Sequence, residues 1–288
     1  MQSLPPMKLD MPLNIVDIFG GLGNQLFQYS FGRYIQVKTG IPTKFAFSQH
    51  KSTIYREPLI LQLLDDIPVA NAQDTNRIMR IGKRYILENI MKKLMHGESA
   101  FTEKREYEEN YSSGNFYVGY WQHDKYVVPI IPEMRTKIFA SRHKQYNIKN
   151  SQNRKVAIHV RRGDYIENQT ANDFHGVCEI DYFERAIAYF NNISREFFFL
   201  IFSDDPGWCK EEFGFRENYY FFDDRNRSTI DDFVDMAMCD HFIVSNSTFS
   251  WWAAILSSHE DKILIRPKKW FRFAPDPPIF NLHPWIEI

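Results

Sequence analysis

The chain has 288 residues, of which 44% are hydrophobic and 25% are charged, and its formal net charge is −1. This composition is typical of a globular protein and excludes an intrinsically disordered chain. The lack of a basic excess disfavours a nucleic-acid partner, and the length accommodates two domains of ordinary size.

The first half of the chain opens with a strand, a glycine turn and a helix. Residues 14–19 form an apolar run that predicts a buried strand, and residues 25–37 carry apolar side chains at a helical period. Asn24 is the expected N-cap of this helix. The pattern is the beginning of a βαβ unit. Further elements are expected as strands at 43–47 and 115–121, helices at 73–95 and from 122 to about 140, and a polar loop at 97–114.

The second half alternates between strands and helices more regularly. Residues 141–154 are very polar, so we place a boundary there and expect domains at 1–150 and 151–288. Asp181 and Glu184 resemble a capping box at the start of a helix. The expected strands are 156–160, 197–202, 219–222, 242–244 and 262–266, and the expected helices are 181–190, 231–238 and a last one ending at 256. This alternation predicts an α/β fold of two facing Rossmann-like domains, with parallel sheets and a central cleft.

The cysteines and the N-terminal segment indicate the cellular compartment in which the protein is expected to lie. Cys178, Cys209 and Cys239 are odd in number and lack CxxC spacing, so we expect no disulfide framework, no structural zinc site and a reducing environment. Residues 1–14 have early prolines and no long apolar core, so we expect neither a signal peptide nor a membrane anchor. We expect a cytoplasmic protein. Residues 77–93 are basic and could contact an anionic membrane surface, although a solvated helix face is the simpler interpretation.

The most informative segment is residues 159–165, which read HVRRGDY directly after an apolar strand. Arg161 and Arg162 then lie at a strand's carboxyl end, where an α/β sheet usually binds its ligand. The fixed fork of guanidinium donors matches phosphate oxygens. We interpret the segment as an anion site for a diphosphate, with Asp164 as a nearby carboxylate. The alternative is a surface turn with a solvated ion pair.

A second polar segment joins a strand to a helix N-terminus. It consists of Ser245, Asn246, Ser247 and Thr248. Hydroxyl groups and backbone donors at the positive end of a helix dipole form a phosphate cradle. Ordinary helix capping, the alternative, needs only one of these residues. The Trp251–Trp252 pair that follows is interpreted as packing.

Two carboxylates, Asp204 and Asp205, end another strand at the same expected sheet edge. A carboxylate there can accept hydrogen bonds from a base's amino group or a ribose hydroxyl. A helix cap before Pro206 is equally compatible with the sequence.

The glycine segment at residues 20–24 lacks the G-x-G-x-x-G spacing and the P-loop lysine, so it is neither a dinucleotide fingerprint nor a Walker site. Backbone N–H groups around Gly21, Gly23 and Asn24 can still approach an anion at the helix N-terminus. A tight strand-to-helix turn is the alternative.

Metal ligation has little support in the sequence. The chain contains no Asp-x-Asp, which disfavours a metal-chelated diphosphate and leaves Arg161 and Arg162 to neutralise the leaving group. His123 and His241 are isolated and are interpreted as structural or surface residues. His175 follows the arginine motif and is a better candidate for a functional residue.

Four segments together resemble the α-1,2-fucosyltransferases, an inverting family that includes bacterial enzymes. They are GGLGNQLFQY at 20–29, HVRRGDY at 159–165, SNSTFSWWAA at 245–254 and PKKW at 267–270. They occur in the family's order and spacing over nearly the whole chain, but the match is weak at 70–115 and 166–178. The resemblance implies a GT-B fold, GDP-β-L-fucose as donor, a terminal galactose of a cell-surface or O-antigen glycan as acceptor, and no metal.

The reaction that the resemblance implies suggests roles for individual residues. Arg161 would pair with the diphosphate, assisted by Ser247 and Thr248. Asp164 is the first choice of general base, and its alternative role is to orient the arginines. Glu167, Asp173, His175 and Glu179 are further candidates for the base, His159 for a nucleotide contact, and Asp204 or Asp205 for guanosine.

The remaining expectations concern the domains and the alternatives. The N-terminal domain would face the acceptor, while the C-terminal domain would bind GDP-fucose. The alternatives are a GDP-fucose transferase of another linkage and a non-catalytic GDP-sugar or glycan-binding module. The expected source of such an enzyme is bacterial, with soluble or lipid-linked oligosaccharide as acceptor.

Overall fold

The computed structural model describes residues 12–47, 58–76, 116–140, 153–163, 166, 172–173, 175–194, 196–223 and 226–288. The helix expected at 73–95 lies almost entirely outside this part, as do the loop at 97–114 and the basic stretch at 77–93. Residues 141–152 also lie outside it, so the domain boundary stays a prediction.

The first half contains a parallel three-stranded sheet in the order β2-β1-β3. Its strands are β1 (Asn14–Asp17), β2 (Thr43–Ala46) and β3 (Phe116–Tyr117). Asn14 lies opposite Thr43, and Ile15 lies opposite Phe116. The helices of this half are α1 (Leu22–Thr39), α2 (Ile60–Leu63), α3 (Asp124–Val127) and α4 (Ile131–Phe139), with a 3-10 turn at Val128–Ile130 between the last two.

The second half contains a parallel six-stranded sheet in the order β6-β5-β4-β7-β8-β9. Its strands are β4 (Lys155–Val160), β5 (Phe198–Ser203), β6 (Tyr219–Phe221), β7 (His241–Ile243), β8 (Leu264–Arg266) and β9 (Trp285–Glu287). The helices are α5 (Ile180–Ile193), α6 (Pro206–Phe213), α7 (Thr229–Ala237) and α8 (Thr248–Leu256), with a 3-10 turn at Phe280–Leu282.

The strand order of this second sheet determines where a ligand can bind. Counted within this half, the order is 3-2-1-4-5-6, the order of a Rossmann sheet. The winding reverses between β4 and β7, which pair in parallel with Ile158 opposite Ile243. Connections on opposite faces leave a crevice at the carboxyl ends of these two strands. The segments at 159–163 and 244–247 lie at this crevice.

Both faces of β4 are buried, as expected for a parallel sheet covered by helices. Val156, Ile158 and Val160 pack into one apolar cluster with α5, while Ala157 points to the opposite face and joins a larger cluster. That larger cluster also contains residues of the first sheet and its helices. The two sheets therefore share apolar packing.

Helices α1 and α8 form much of this shared packing. The Phe27 ring lies 5.0 Å from Trp251 and 4.9 Å from Trp252, both fully buried. The interpretation of these tryptophans as packing residues is confirmed. At the other end of α8, Arg135 of α4 donates hydrogen bonds to the carbonyl groups of residues 255–257. A cation at a helix C-terminus complements the dipole.

Most predicted elements are present, with shifted ends. The α/β fold with parallel sheets is confirmed, and each predicted strand is found in the described part of the chain. The sequence analysis missed β9, a three-residue strand at the edge of the sheet with no buried residue. The capping box expected at Asp181 and Glu184 is wrong: α5 begins one residue earlier, and no side chain caps it. A capping box forms instead between Ser228 and Asp231 at α7.

Two further observations concern the whole described chain. Cys178, Cys209 and Cys239 are buried, free thiols. Across the ranges that the structure describes, no helix has both the length and the apolar character that crossing a membrane requires.

Candidate active site

The crevice is closed at its base by a buried hydrogen bond between its two strands. The Nδ1 atom of His159, one residue before the end of β4, lies 2.9 Å from the Ser245 hydroxyl oxygen. Burial, with a smaller effect of the charge on Arg161, lowers the pKa of His159 to about 3. The imidazole is therefore neutral at physiological pH and acts as a hydrogen-bonding group. The structure thus brings together two of the predicted residues.

Arg161 lies at the mouth of the crevice and is held by a carboxylate from the neighbouring strand. Its Nη1 atom is 2.8 Å from Asp204 Oδ2, and both side chains are about one quarter exposed. The other Asp204 oxygen accepts the backbone N–H of Arg162 at 2.9 Å. A Cβ at Gly163 would lie 2.8 Å from Asp204 Oδ2, so a larger residue would displace the carboxylate that pairs with Arg161. Asp204 therefore orients Arg161, a contact that the sequence analysis did not identify.

Arg162 has a different environment from its neighbour. Its guanidinium carbon lies 3.9 Å from the centroid of the Trp208 ring, and its Nε is 3.4 Å from Asp205 Oδ2. Stacking on an aromatic face and ion pairing are structural roles for arginine. Asp205 caps α6 by accepting the Trp208 N–H. The alternative interpretation of Asp205 as a helix cap is confirmed, while guanosine binding by Asp204 or Asp205 stays a prediction.

Asn246 connects the crevice to two loops. Its buried Nδ2 group donates to the carbonyl oxygen of His175 at 2.8 Å and to that of Gly176 at 3.1 Å, and it lies 3.4 Å from the Trp270 carbonyl oxygen. The side chain thereby holds the loop after the arginine motif against the 267–270 segment. Ligand binding by Asn246 stays a prediction, and its contacts are those of a structural residue.

The N-terminus of α8 faces the same crevice. Ser247 is its N-cap residue, but no side chain accepts a hydrogen bond there, and no acidic residue occupies the first turn. The Ser247 N–H is bonded to the Ser245 carbonyl oxygen at 2.7 Å. Thr248 donates its hydroxyl to Asn24 Oδ1 at 3.3 Å. This helix end therefore carries the partial positive charge of its dipole without a compensating anion.

The N-terminus of α1 meets that of α8. A Cβ built on Gly23 would lie 2.5 Å from the Thr248 carbonyl carbon and 2.6 Å from the Phe249 backbone nitrogen, so the two first turns are in direct contact. Helix α1 also lacks a side-chain cap and an acidic first turn. Two positive helix ends therefore converge beside the crevice. The predicted glycine segment and the predicted serine-threonine segment are brought together by this contact.

The prediction that Asn24 is the N-cap of α1 is wrong. The helix begins at Leu22 with Gly21 as its N-cap, because Gly20, at a φ of 79°, turns the chain early. Asn24 lies within the first turn, where its Oδ1 accepts hydrogen bonds from Thr248 and, at 3.2 Å, from Gln122. Asn24 thus links the loop after β3 to α8.

Two buried glutamines of α1 support these loops, and the sequence analysis gave them no role. Gln25 donates to the Gly20 carbonyl oxygen and accepts the Ile60 N–H. Gln28 accepts the Phe19 N–H at 2.9 Å and donates to the Gly119 carbonyl oxygen at 3.2 Å. Polar side chains on the buried face of an otherwise apolar helix were the available signal, because a buried amide must find partners.

The proposed bases are only partly described. Asp164 and Glu167 lie outside the described residues. Asp173 and Glu179 are exposed, and the ring of His175 lies 5.4 Å from that of Phe271. The identity of the base stays a prediction.

The other histidine predictions are confirmed. His123 caps α3 by accepting the Lys125 N–H, and buried His241 accepts the Ile263 N–H. Within the described ranges, no three His, Cys, Asp or Glu side chains are grouped closely enough to hold a metal ion.

Comparison with known proteins places these features in a family. The family model described as "Glycosyl transferase family 11" matches residues 7–273. The Escherichia coli "O-antigen biosynthesis glycosyltransferase WbnK" is 44% identical over 118 residues, which cover 40% of this chain and 39% of that protein. The Escherichia coli "Alpha-1,2-colitosyltransferase" is 28% identical over 279 residues, covering 91% of this chain and 93% of that protein.

More distant similarities extend to animal proteins and to a solved structure. The Bos taurus "Galactoside 2-alpha-L-fucosyltransferase SEC1" is 28% identical over 138 residues, covering 46% of this chain and 38% of that protein. The match to WbnK and the match to the Bos taurus enzyme each span less than two thirds of the length of that relative. The crystal structure of the fucosyltransferase NodZ from Bradyrhizobium covers 86% of this chain and 94% of that chain, with 13% identity and a TM-score of 0.48.

The family match includes all three segments that build the crevice: residues 20–29, 159–163 and 245–254. Because it extends over nearly the whole chain, the protein belongs to glycosyl transferase family 11.

Proposed function

We propose that this glycosyltransferase is a galactoside α-1,2-L-fucosyltransferase. It transfers fucose from GDP-β-L-fucose, with inversion and without a metal ion, to the 2-hydroxyl of a terminal galactose. In this proposal the two sheets are the halves of a GT-B fold, and the donor occupies the crevice of the second sheet.

The observation that carries the proposal is the convergence of two uncapped helix N-termini at the contact of Gly23 with Thr248. Each helix end contributes roughly half a positive charge and several backbone N–H groups. Arg161 and Asn246 each lie three residues beyond the paired residues Ile158 and Ile243, so Arg161 reaches the same crevice. Two converging helix N-termini beside a guanidinium group favour a diphosphate.

Each of these groups has a role in the proposed reaction. The oxygen of the galactose 2-hydroxyl attacks the anomeric carbon of fucose while the bond from that carbon to the β-phosphate oxygen breaks. Negative charge accumulates on the departing GDP, and Arg161 stabilises it together with the first-turn donors of α8. Preorganised donors of this type contribute about 3–4 kcal/mol each when well placed. Asp204 holds Arg161 in position before the reaction, which reduces the reorganisation needed.

A base must take the proton that the acceptor hydroxyl loses. Asp164 is our first candidate because it follows Arg161 and Arg162 in the sequence. His159 is unsuited to this role, because an imidazole whose pKa is lowered to about 3 holds a proton poorly near neutral pH. The pH–rate profile of Asp164→Asn tests the assignment. A variant that keeps both its acidic limb and most of its rate would exclude Asp164.

A second candidate donor is GDP-colitose, since the relative that matches 93% of its own length is named an alpha-1,2-colitosyltransferase. Colitose is 3-deoxy-L-fucose, so the two donors differ by one hydroxyl group. A site that hydrogen-bonds this hydroxyl rejects the deoxy sugar by up to ~10⁴–10⁵-fold. The ratio of kcat/KM for the two donors therefore identifies the natural one.

The first experiment is a GDP-release assay with GDP-fucose and EDTA, against lactose, N-acetyllactosamine and the type 1 and type 3 disaccharides. Acceptor-dependent release that ignores EDTA, with an α-1,2 product by NMR, would support the proposal. A product of another linkage would point to a different fucosyltransferase. Donor binding without transfer to any acceptor would favour a non-catalytic glycan-binding module.

A further inference from the structure

An exposed aromatic pair lies at the carboxyl edge of the first sheet. Tyr120 follows β3, Phe19 follows the neighbouring strand β1, and their ring centroids are 5.2 Å apart at an angle of 56°. The Tyr120 residue is 49% exposed and Phe19 is partly exposed. Single exposed aromatic residues are common, so exposure alone assigns no role. The way in which this pair is held supplies the argument.

The backbone around both rings is fixed by a single buried side chain. Gln28 accepts the Phe19 N–H through Oε1 and donates to the Gly119 carbonyl oxygen, immediately before Tyr120. Its amide group is fully buried, so these hydrogen bonds are protected from water. The two loops are therefore tied to one helix, and the aromatic rings have a defined separation.

The next residue adds a second restraint. Trp121 has a φ of 54°, which is unusual for a residue with a side chain. Its ring stacks on Phe31 at 3.8 Å with an interplanar angle of 3°, and this packing maintains the backbone conformation. Such conformations cluster at ligand sites, because the surrounding structure must stabilise them. Here the restraint presents Tyr120 to solvent on a fixed loop.

The same loop leads directly to the proposed donor site. Gln122 donates to Asn24, and Asn24 also accepts the Thr248 hydroxyl where α1 meets α8. Tyr120 therefore lies two residues before Gln122, whose partner Asn24 is bonded to the first turn of α8.

We propose that Tyr120 and Phe19 form the acceptor subsite and stack against the galactose ring; this inference rests on the proposed function. One face of a β-galactose ring carries a continuous set of C–H groups, and its edge carries hydroxyls. The negative face of an aromatic ring attracts the C–H face, and neighbouring amides satisfy the hydroxyls. The pair would determine acceptor binding without contacting GDP-fucose.

The test compares Tyr120→Ala, Tyr120→Phe and the control Phe215→Ala. Phe215 is 89% exposed and lies between α6 and β6, at the amino edge of the second sheet. Loss of the stacking face should raise the acceptor KM about tenfold in Tyr120→Ala and leave the donor KM unchanged. Tyr120→Phe and Phe215→Ala should retain the wild-type acceptor KM. Near-UV circular dichroism verifies that each variant is folded.

Saturation-transfer NMR with methyl β-D-galactopyranoside and lactose separates this inference from the proposed function. Binding lost in Tyr120→Ala alone supports the subsite even if no fucose is transferred. Transfer with an unchanged acceptor KM in Tyr120→Ala overturns the subsite and leaves the proposed function standing. Absence of saturation transfer from the wild-type protein to either galactoside also overturns the subsite.

Discussion

Replacement of Gly23 by alanine should separate the two helix ends that form the candidate anion site. The new methyl carbon would lie 2.5 Å from the Thr248 carbonyl carbon, whereas ordinary contact begins at 3.4 Å. The difference between these distances means that α1 and α8 must move apart by about 0.9 Å. Two of the three obstructing atoms are backbone atoms of α8, so rotation of the Thr248 side chain alone cannot relieve the collision.

The magnitude follows from two opposing effects. Alanine favours a helix over glycine by about 1 kcal/mol, while overpacking of a tight contact costs about 1–3 kcal/mol. Gly207 provides a matched control, because it is also the second residue of a helix and its Cβ would meet only Asp205, at 3.8 Å. We expect Gly23→Ala to be about 1–3 kcal/mol less stable than Gly207→Ala.

Urea unfolding measures this difference, and the GDP-release assay measures its effect on catalysis. A displacement of about 1 Å at a positioning contact can cost roughly 10²-fold in rate, so we expect kcat/KM to fall by about that factor in Gly23→Ala only. Equal unfolding free energies and equal kcat/KM in the two variants would refute the reasoning. The contact between the helix ends would then be irrelevant to anion binding.

The remaining predictions concern the residues at the crevice. Arg161→Ala should lose roughly two or more decades of kcat in the GDP-release assay while keeping its near-UV circular dichroism, and near-normal turnover would remove Arg161 from the mechanism. Asp204→Ala should lower kcat by disorienting Arg161, whereas Asp205→Ala should mainly lower stability by about 1 kcal/mol through loss of the α6 cap; equal kinetic losses in the two variants would contradict these assignments. The pKa of His159 is lowered from 6.5 to about 3, so between these pH values the unfolded chain binds a proton that the folded chain does not. The stability that neutral His159 provides is therefore complete above pH 6.5 and declines as the pH falls toward 3. In urea unfolding at several pH values, the free energy of unfolding should therefore decline less steeply with falling pH in His159→Gln than in the wild type. Parallel plots of unfolding free energy against pH would show that His159 is not buried as a neutral group.

The sequence by itself determined the fold class and the edge of the sheet where the polar segments gather. Short apolar runs alternating with helical periods predict parallel strands, because such strands are buried on both faces. Polar residues that follow these strands must then lie at a common carboxyl edge. For this reason the sequence predicts that the segments at 159–165 and 245–248 meet at one edge of the sheet.

The tertiary structure decided which polar group contacts which partner. Asp204 and Asp205 are adjacent in the sequence, yet one orients Arg161 and the other caps α6. Arg161 and Arg162 likewise differ, because only Arg162 stacks on Trp208. Adjacent residues of the same type look alike in the sequence. Their roles differ because their side chains contact different partners in the folded protein.

The structural role of Asn24 also depended on the fold. Its sequence position indicated an N-cap, but the early turn at Gly20 brought it into the first turn of α1, beside Thr248 and Gln122. The physical reason is general: periodicity reports which face of an element is buried, whereas hydrogen bonds between distant segments require the relative position of those elements. That position is set by packing between helices such as α1 and α8, and no local pattern in the chain records it.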